Sequence, residues 1–324
     1  MNTYEAIDPS GEHPLISLLI PAFNEEQAII GTLDALVATL ATIDGYRWEI
    51  VVVNDGSRDA TLEVVKRYRT PHASMVAVDL SRNFGKEAAL SAGLSVCSGR
   101  AVIPFDADLQ DPPGLIRDML AEWRAGADVV LARRADRSSD GLLKRKTAQW
   151  FYRFMNRFSD VALPENVGDF RLMDRVVVDT VAKLPENRRF MKGLFAWAGF
   201  RSVVVEYARP LRHAGESKFN GVRLLNLAIE GITSFSVMPL RVASYMGVLV
   251  AAVGCVYALW IVAQTLLHGI DVKGYASLMV VLLVTSGVQL ISLGIIGEYV
   301  GRTYLEAKRR PAYVIREVSV AAPH

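Results

Sequence analysis

The chain has 324 residues, a formal net charge of +2 and a hydrophobic content of 51%. That length allows one large domain and a further element, and the near-balanced charge excludes bulk nucleic-acid binding as the governing activity. Its two cysteines, Cys97 and Cys255, are too few for a disulfide framework or a cysteine-based metal site.

Residues 1–14 are polar and lack a basic segment followed by an apolar one, so no signal peptide is read there and the first domain is expected to stay in the cytosol. From Leu15 the chain alternates. An apolar run to Ile20 ends at Pro21-Ala22-Phe23-Asn24-Glu25-Glu26, and Ile29, Leu33, Leu36 and Leu40 then recur at helical spacing. A β-branched strand over 48–53 leads into Asn54-Asp55-Gly56-Ser57-Arg58-Asp59, with a helix from Ala60 capped by Asp59 or Ser57. A third strand, 74–80, is followed by Ser81-Arg82-Asn83-Phe84-Gly85-Lys86 and a helix over 87–96. A fourth, 101–105, stops before Pro112-Pro113, a helix follows around 115–123, and a fifth strand over 127–132 emerges at Arg133-Arg134. Strands too apolar to face water, alternating with helices, predict an α/β fold: a Rossmann-like, mostly parallel sheet with helices on both faces.

Ligands of open α/β sheets bind beyond the carboxyl ends of the strands. There the pattern places Glu25, Asp55 and the pair Asp106 and Asp108, which are expected to share one side of an extended segment with the Gln110 amide nearby. A lone D-x-D also fits a solvated acidic turn, but three acidic loops on one sheet edge repel one another unless they meet cations or hydrogen-bond donors. Hard oxygen ligands of this kind suit Mg²⁺ or Mn²⁺, with substrate phosphates completing the shell. No G-x-G-x-x-G follows the first strand and no G-x-x-x-x-G-K-[ST] occurs, so the dinucleotide and P-loop readings lose their main support.

Residues 142–158 form a basic, aromatic, amphipathic pattern that suits either a membrane surface or an ordinary core-facing helix. A short strand is expected at 168–173, another at 202–207, and a polar, glycine-containing segment at 209–218 could be a lid or a plain surface loop. Residues 223–235 are apolar enough for a headgroup layer. Residues 242–267 and 275–296 are each long and uncharged enough to cross a bilayer, and the short connection makes them a hairpin. Arg241, Arg302, Lys308, Arg309 and Arg310 lie on one side of it, against only Lys273 and Asp271 on the other, which predicts that both termini are cytoplasmic.

Eight segments together carry a resemblance: IPAFNEE at 20–26, VNDGSRD at 53–59, LSRNFGKEAAL at 80–90, DADLQDPP at 106–113, GDFRLMDR at 168–175, RFMKGLFAW at 189–197, AGESKF at 214–219 and GEYVGRTYLEAKRRP at 297–311. On these the chain resembles the family 2 (GT-A) glycosyltransferases that load a sugar onto a polyprenyl phosphate, the group that includes dolichol-phosphate mannose synthase, and within it the bactoprenol glucosyltransferases. The resemblance implies a GT-A domain over 1–220, an interfacial helix at 221–240, two transmembrane helices within 241–298 and a basic juxtamembrane tail from 299 to 324.

It further implies a UDP-sugar donor, best taken as UDP-glucose, an undecaprenyl phosphate acceptor and Mg²⁺ or Mn²⁺ as cofactor. Pro21, Glu25, Asp55, Lys86 and Asp106 would hold the nucleotide-sugar, Asp106, Asp108 and Gln110 the metal, and Asp169 would lie beside the donor sugar. Arg133, Arg145, Ser217 and Lys218 are candidates for the acceptor phosphate, with Lys144 and Lys146 as alternatives to Arg145. Paired spans and a basic tail would suit a homo-oligomer. Other donor sugars (GlcNAc, galactose, mannose, aminoarabinose), a processive synthase and a non-catalytic nucleotide-sugar scaffold are the rival readings. The second lacks its further spans and its Q-x-x-R-W motif here.

Overall fold

The computed structural model describes residues 13–134, 167–184, 186, 191–207, 238–268 and 274–321, which divide into two compact units. The first contains β1 (Leu15–Ala22), α1 (Ile29–Leu40), β2 (Arg47–Asn54), α2 (Thr61–Arg67), β3 (Ser74–Leu80), α3 (Lys86–Val96), β4 (Ala101–Pro104), α4 (Leu115–Arg124), β5 (Val129–Arg134), β6 (Val167–Asp174), α5 (Arg175–Ala182), α6 (Met191–Trp197), β7 (Ser202–Tyr207) and β8 (Ile315–Ala321). Among the described residues these strands form one sheet in the order β7-β5-β6-β4-β1-β2-β3-β8. The β1–β2, β1–β4, β2–β3 and β5–β7 pairings are parallel. Strand β6 runs antiparallel to β4 and β5, and β8 runs antiparallel to β3.

The central strands are apolar throughout because helices cover both faces: Leu18, Leu19, Ile20, Ile50, Val51 and Val53 are fully buried. Helix α1 buries Ile29, Leu33, Leu36 and Leu40 along one stripe. Helix α3 comes close to the sheet because its contact face is small. A Cβ on Gly93 would lie 2.0 Å from Leu19 Cδ1, a distance no side chain tolerates without moving.

Two local details differ from the sequence expectation, and a third resolves an alternative it left open. Strand β4 ends at Pro104, and the acidic segment after it turns, with Leu109 at φ 51°, so Asp106 and Asp108 do not lie on an extended strand. The turn is held from outside the segment: Thr32 Oγ1 donates to the Ala107 carbonyl at 2.6 Å, and Phe105 packs edge-on against Phe170. The fifth strand lies two residues later than expected. At α2 the Asp59 carboxylate accepts the Thr61 N–H at 3.1 Å, whereas Ser57 Oγ accepts the Asn24 N–H.

The end of the chain, expected only as a basic tail, contributes β8 to the sheet edge beside β3. A seven-residue strand at the end of a charged tail carries too weak an alternation to be read before its partner is known.

The second unit holds α7 (Met238–His268) and α8 (Tyr275–Ala307), which contact each other. Helix α7 starts before Pro239, where a missing backbone N–H costs nothing in the first turn. Within α7, Val242–Gln264 is long and apolar enough to cross a membrane. Leu249, Val256, Leu259 and Leu266 are exposed rather than packed into a protein core, and an apolar surface of that kind suits lipid. Helix α8 extends past the apolar run to Ala307, with Glu298 and Arg302 paired one turn apart at 2.9 Å.

At the amino ends of the strands the buried Glu49 collects three donors: Ser17 Oγ, the Ser98 N–H at 3.0 Å and Ser98 Oγ at 2.7 Å. Glu49→Ala would strand those groups, at a cost of about 1–3 kcal/mol. A lower Tm in thermal unfolding, with chemistry at the opposite end of the sheet intact, is the expected outcome.

Candidate functional site

At the carboxyl ends of β1, β2 and β4 lies an open cleft of about 340 Å³, lined among others by Pro21, Glu25, Asp55, Lys86, Asp106 and Asp108. The acidic loops predicted to converge do so. Phe23, Asn83 and Ala89 also line the cleft. The sequence reading assigned them no role, although Phe23 and Asn83 sit inside the loop motifs that drew attention to their neighbours.

The loop after β1 and the loop after β2 are laced together. The Glu25 N–H donates to Thr61 Oγ1 at 2.9 Å, the Arg58 N–H to Asn24 Oδ1 at 2.9 Å, and the Ala60 N–H to Glu26 Oε2 at 2.9 Å. The loop after β3 is held by Asp55, a buried carboxylate that accepts the Phe84 N–H at 2.7 Å and the Gly85 N–H at 2.9 Å. Burial raises the Asp55 pKa, opposed by those two N–H groups and by Arg82. Gly56 is needed where these loops meet. It has φ 64°, and a Cβ would fall 2.4 Å from the Arg82 carbonyl carbon and 2.6 Å from the Asn83 nitrogen.

Lys86, the first residue of α3, places its ammonium 2.6 Å from Asp106 Oδ1 and 2.7 Å from Asp169 Oδ2. Burial works against the charge on Lys86, but Asp169 and Asp106 outweigh it and raise its pKa. The Asp106 pKa is raised, first by burial; Lys86 lowers it, and Asp169 and Asp108 add to the rise. Glu25 is raised by burial and then by Asp108 and Asp59. Glu25 and Asp106 are thus held above their usual range, first by burial and then by neighbouring carboxylates, with the Lys86 ammonium opposing the rise at Asp106.

This donor set fits a divalent cation. The atoms are hard oxygens and their mutual repulsion would be relieved by added positive charge, while among the described residues no group of three or more His, Cys, Asp or Glu is placed to hold a metal ion by itself. Asp106 and Asp108 are the residues that would hold Mg²⁺ or Mn²⁺, ions that take few protein carboxylates. Gln110, expected to offer its amide oxygen, instead directs its Nε2 toward Asp108 Oδ2 while its N–H meets Asp108 Oδ1 at 3.2 Å.

Asp169 reaches the site from β6. Beside it Arg171 is buried, with Nη2 on the Gly168 carbonyl at 2.9 Å, its guanidinium 4.5 Å from the Phe195 ring centre, and Nε without a hydrogen-bond partner among the described residues. Burial pulls the Arg171 pKa down to about 10, partly offset by Asp169 and Glu87.

Comparison with known proteins accounts for this arrangement. The profile described as glycosyl transferase family 2 matches residues 17–182, which include the whole cleft. The chain belongs to glycosyl transferase family 2. A second profile, the GtrB C-terminal hairpin, matches residues 238–303. The chain is similar to the bactoprenol glucosyl transferase of Shigella phage SfV, 52% identical over 301 residues covering 93% of this chain and 98% of that protein. It is also similar to the prophage bactoprenol glucosyl transferase homolog of Escherichia coli K12, 49% identical over 94% of this chain and 99% of that protein. A glycosyltransferase of Synechocystis matches at 46% identity, over 94% of this chain and 95% of that protein.

In this family 2 glycosyl transferase, Arg133 is absent from the cleft lining and pairs through Nε, at 3.1 Å, and Nη2 with Glu206 on the neighbouring edge strand. The other acceptor candidates, Arg145, Ser217 and Lys218, together with Lys144 and Lys146, lie outside the described residues.

Gly56→Ala should separate the loops after β2 and β3 without touching the sheet core. Nucleotide binding measured by calorimetry is expected to weaken at least tenfold while the far-UV circular dichroism stays that of the parent.

Proposed function

We propose that this protein transfers glucose from UDP-glucose to bactoprenol (undecaprenyl) phosphate, with inversion at the anomeric carbon. The observation that carries the reading is the cleft that gathers Glu25, Asp55, Asp106 and Asp108 around Lys86, in a chain about 50% identical over nearly its full length to bactoprenol glucosyl transferases. Pro21, Asp55 and the adjoining loop backbone would bind the uridine, and Asp106 and Asp108 would hold Mg²⁺ or Mn²⁺, which when bound neutralises the diphosphate.

The acceptor is already anionic at neutral pH, so the chemistry asks mainly for positioning and charge. A phosphate oxygen of the lipid attacks the anomeric carbon as its bond to the UDP oxygen breaks, and UDP leaves with the electron pair. No strong general base is required. Asp169, joined to Lys86, would orient the sugar rather than remove a proton, and Lys86 would follow the charge from Asp106 toward the leaving diphosphate. Arg133, Arg145, Ser217 and Lys218 remain the proposed set for the acceptor phosphate.

The apolar span in α7, the match to a C-terminal hairpin and the basic residues Arg302, Lys308, Arg309 and Arg310 support a membrane hairpin with both ends in the bacterial cytoplasm. In that arrangement a water-borne donor and a lipid acceptor are supplied from the same side.

The test is transfer to undecaprenyl phosphate in detergent with Mg²⁺ or Mn²⁺, reading UDP release and lipid product together over a panel of UDP-hexoses. Lipid-linked glucose is the expected product, abolished by EDTA and restored by excess metal. Asp108→Ala should remain folded and membrane-associated but fall to background turnover, since it removes a ligand from a turn rather than volume from the core. Turnover by Asp108→Ala at the parent rate would refute the metal assignment. UDP binding without product from any donor would favour a non-catalytic scaffold.

A further inference from the structure

Strand β8 meets β3 in antiparallel register from Met75↔Ala321 to Asp79↔Glu317, and then the register shifts, so that Leu80 pairs with Ile315. Arg316 is the residue left over. A bulge of this kind re-aims a side chain, and such bulges recur beside active sites. Here it delivers the Arg316 guanidinium to two groups: Nη1 lies 2.9 Å from Asp79 Oδ2, and Nη2 donates to the Ser81 carbonyl at 2.8 Å. Next to it, the Ser81 N–H donates to the Val314 carbonyl at 2.9 Å.

Both groups lead to the nucleotide end of the cleft. Asp79 is buried, 4% exposed at its side chain, and its other oxygen accepts Asn54 Nδ2 at 2.7 Å. Asn54 immediately precedes Asp55, and its own Oδ1 accepts the Ser57 N–H at 3.2 Å. Ser81 opens the loop whose Phe84 and Gly85 N–H groups grip Asp55, and whose residues 82 and 83 lie against Gly56. One guanidinium therefore fixes the starts of the loops after β2 and β3.

We propose that Arg316 is a positioning residue for donor recognition, setting the geometry of Asp55 through Asp79 and Ser81; this rests on the reading of the cleft as a nucleotide-sugar site. The strand that follows the C-terminal hairpin in sequence is thereby part of the donor site's scaffold. Magnitudes favour a role beyond a surface ion pair. Arg316 is 60% exposed, and an exposed pair alone contributes little. Its removal, however, leaves a buried carboxylate with one amide partner and frees the Ser81 carbonyl, and both losses fall on the loops that hold Asp55.

The test uses the full-length protein in detergent. Arg316→Ala should weaken UDP binding by calorimetry roughly tenfold, the scale on which supporting contacts usually act. It should also raise the donor KM, with kcat at saturating donor and the acceptor KM unchanged. Arg316→Lys should recover only part of the affinity, since a single ammonium does not reproduce a fork to two acceptors. Ile315→Ala, which weakens the strand without touching Asp79, is the control and should lower Tm without shifting UDP affinity. Parent-like UDP affinity in Arg316→Ala, or an equal loss of affinity in the control, would overturn the assignment while leaving the donor site in place. Failure of the parent protein to bind UDP would instead overturn the donor-site reading and this inference with it.

Discussion

The structure depends on keeping several carboxylates together in a half-buried place. Glu25, Asp55, Asp106, Asp108 and Asp169 come from four separate segments, and burial penalises the charge on Glu25, Asp55 and Asp106. Left to themselves, the loops would part. What holds them is a small set of positive and partially positive groups: the Lys86 ammonium between Asp106 and Asp169, and the Phe84 and Gly85 N–H groups on Asp55. The stability that this arrangement costs is supplied below it, by a sheet whose central strands are buried on both faces.

The same crowding explains why the site is suited to its proposed donor. A nucleotide diphosphate brings a uracil N–H, ribose hydroxyls and a bound divalent cation, which are the donors and the charge that a carboxylate cluster lacks. Lys86 holds the place of that positive charge and is attached to α3, a helix seated close to β1 by its small residues. Its reach is therefore limited, and a change of partner from Asp106 to phosphate needs only side-chain motion.

Interlocking loops do the rest. The loops after β1 and β2 exchange backbone-to-side-chain hydrogen bonds, and Gly56 lets the loop after β3 come into backbone contact with them. The final strand is tied in through Arg316. The chain is thus closed around its donor cleft from a segment nearly at its end, after the two long helices have intervened in sequence.

Much of this was legible from the residues in order. Buried parallel strands announce themselves as continuous apolar runs, helices by their stripe, and the carboxyl ends of strands are where a doubly wound sheet binds its ligands, so Glu25, Asp55, Asp106 and Asp108 could be placed together before any coordinates. The long apolar run of α7 was equally plain. Local pattern does not encode what lies beside a segment. The turn at Asp106 follows from Thr32 on another element. Gln110 directs its nitrogen to Asp108 because of a contact, and Arg133 is paired with Glu206 by strand adjacency. The bulge that aims Arg316 exists only once β8 has found β3. Periodicity and composition fix each element's type because burial acts residue by residue; register, turns and partners are decided by packing between segments far apart in sequence, and only the folded chain contains those.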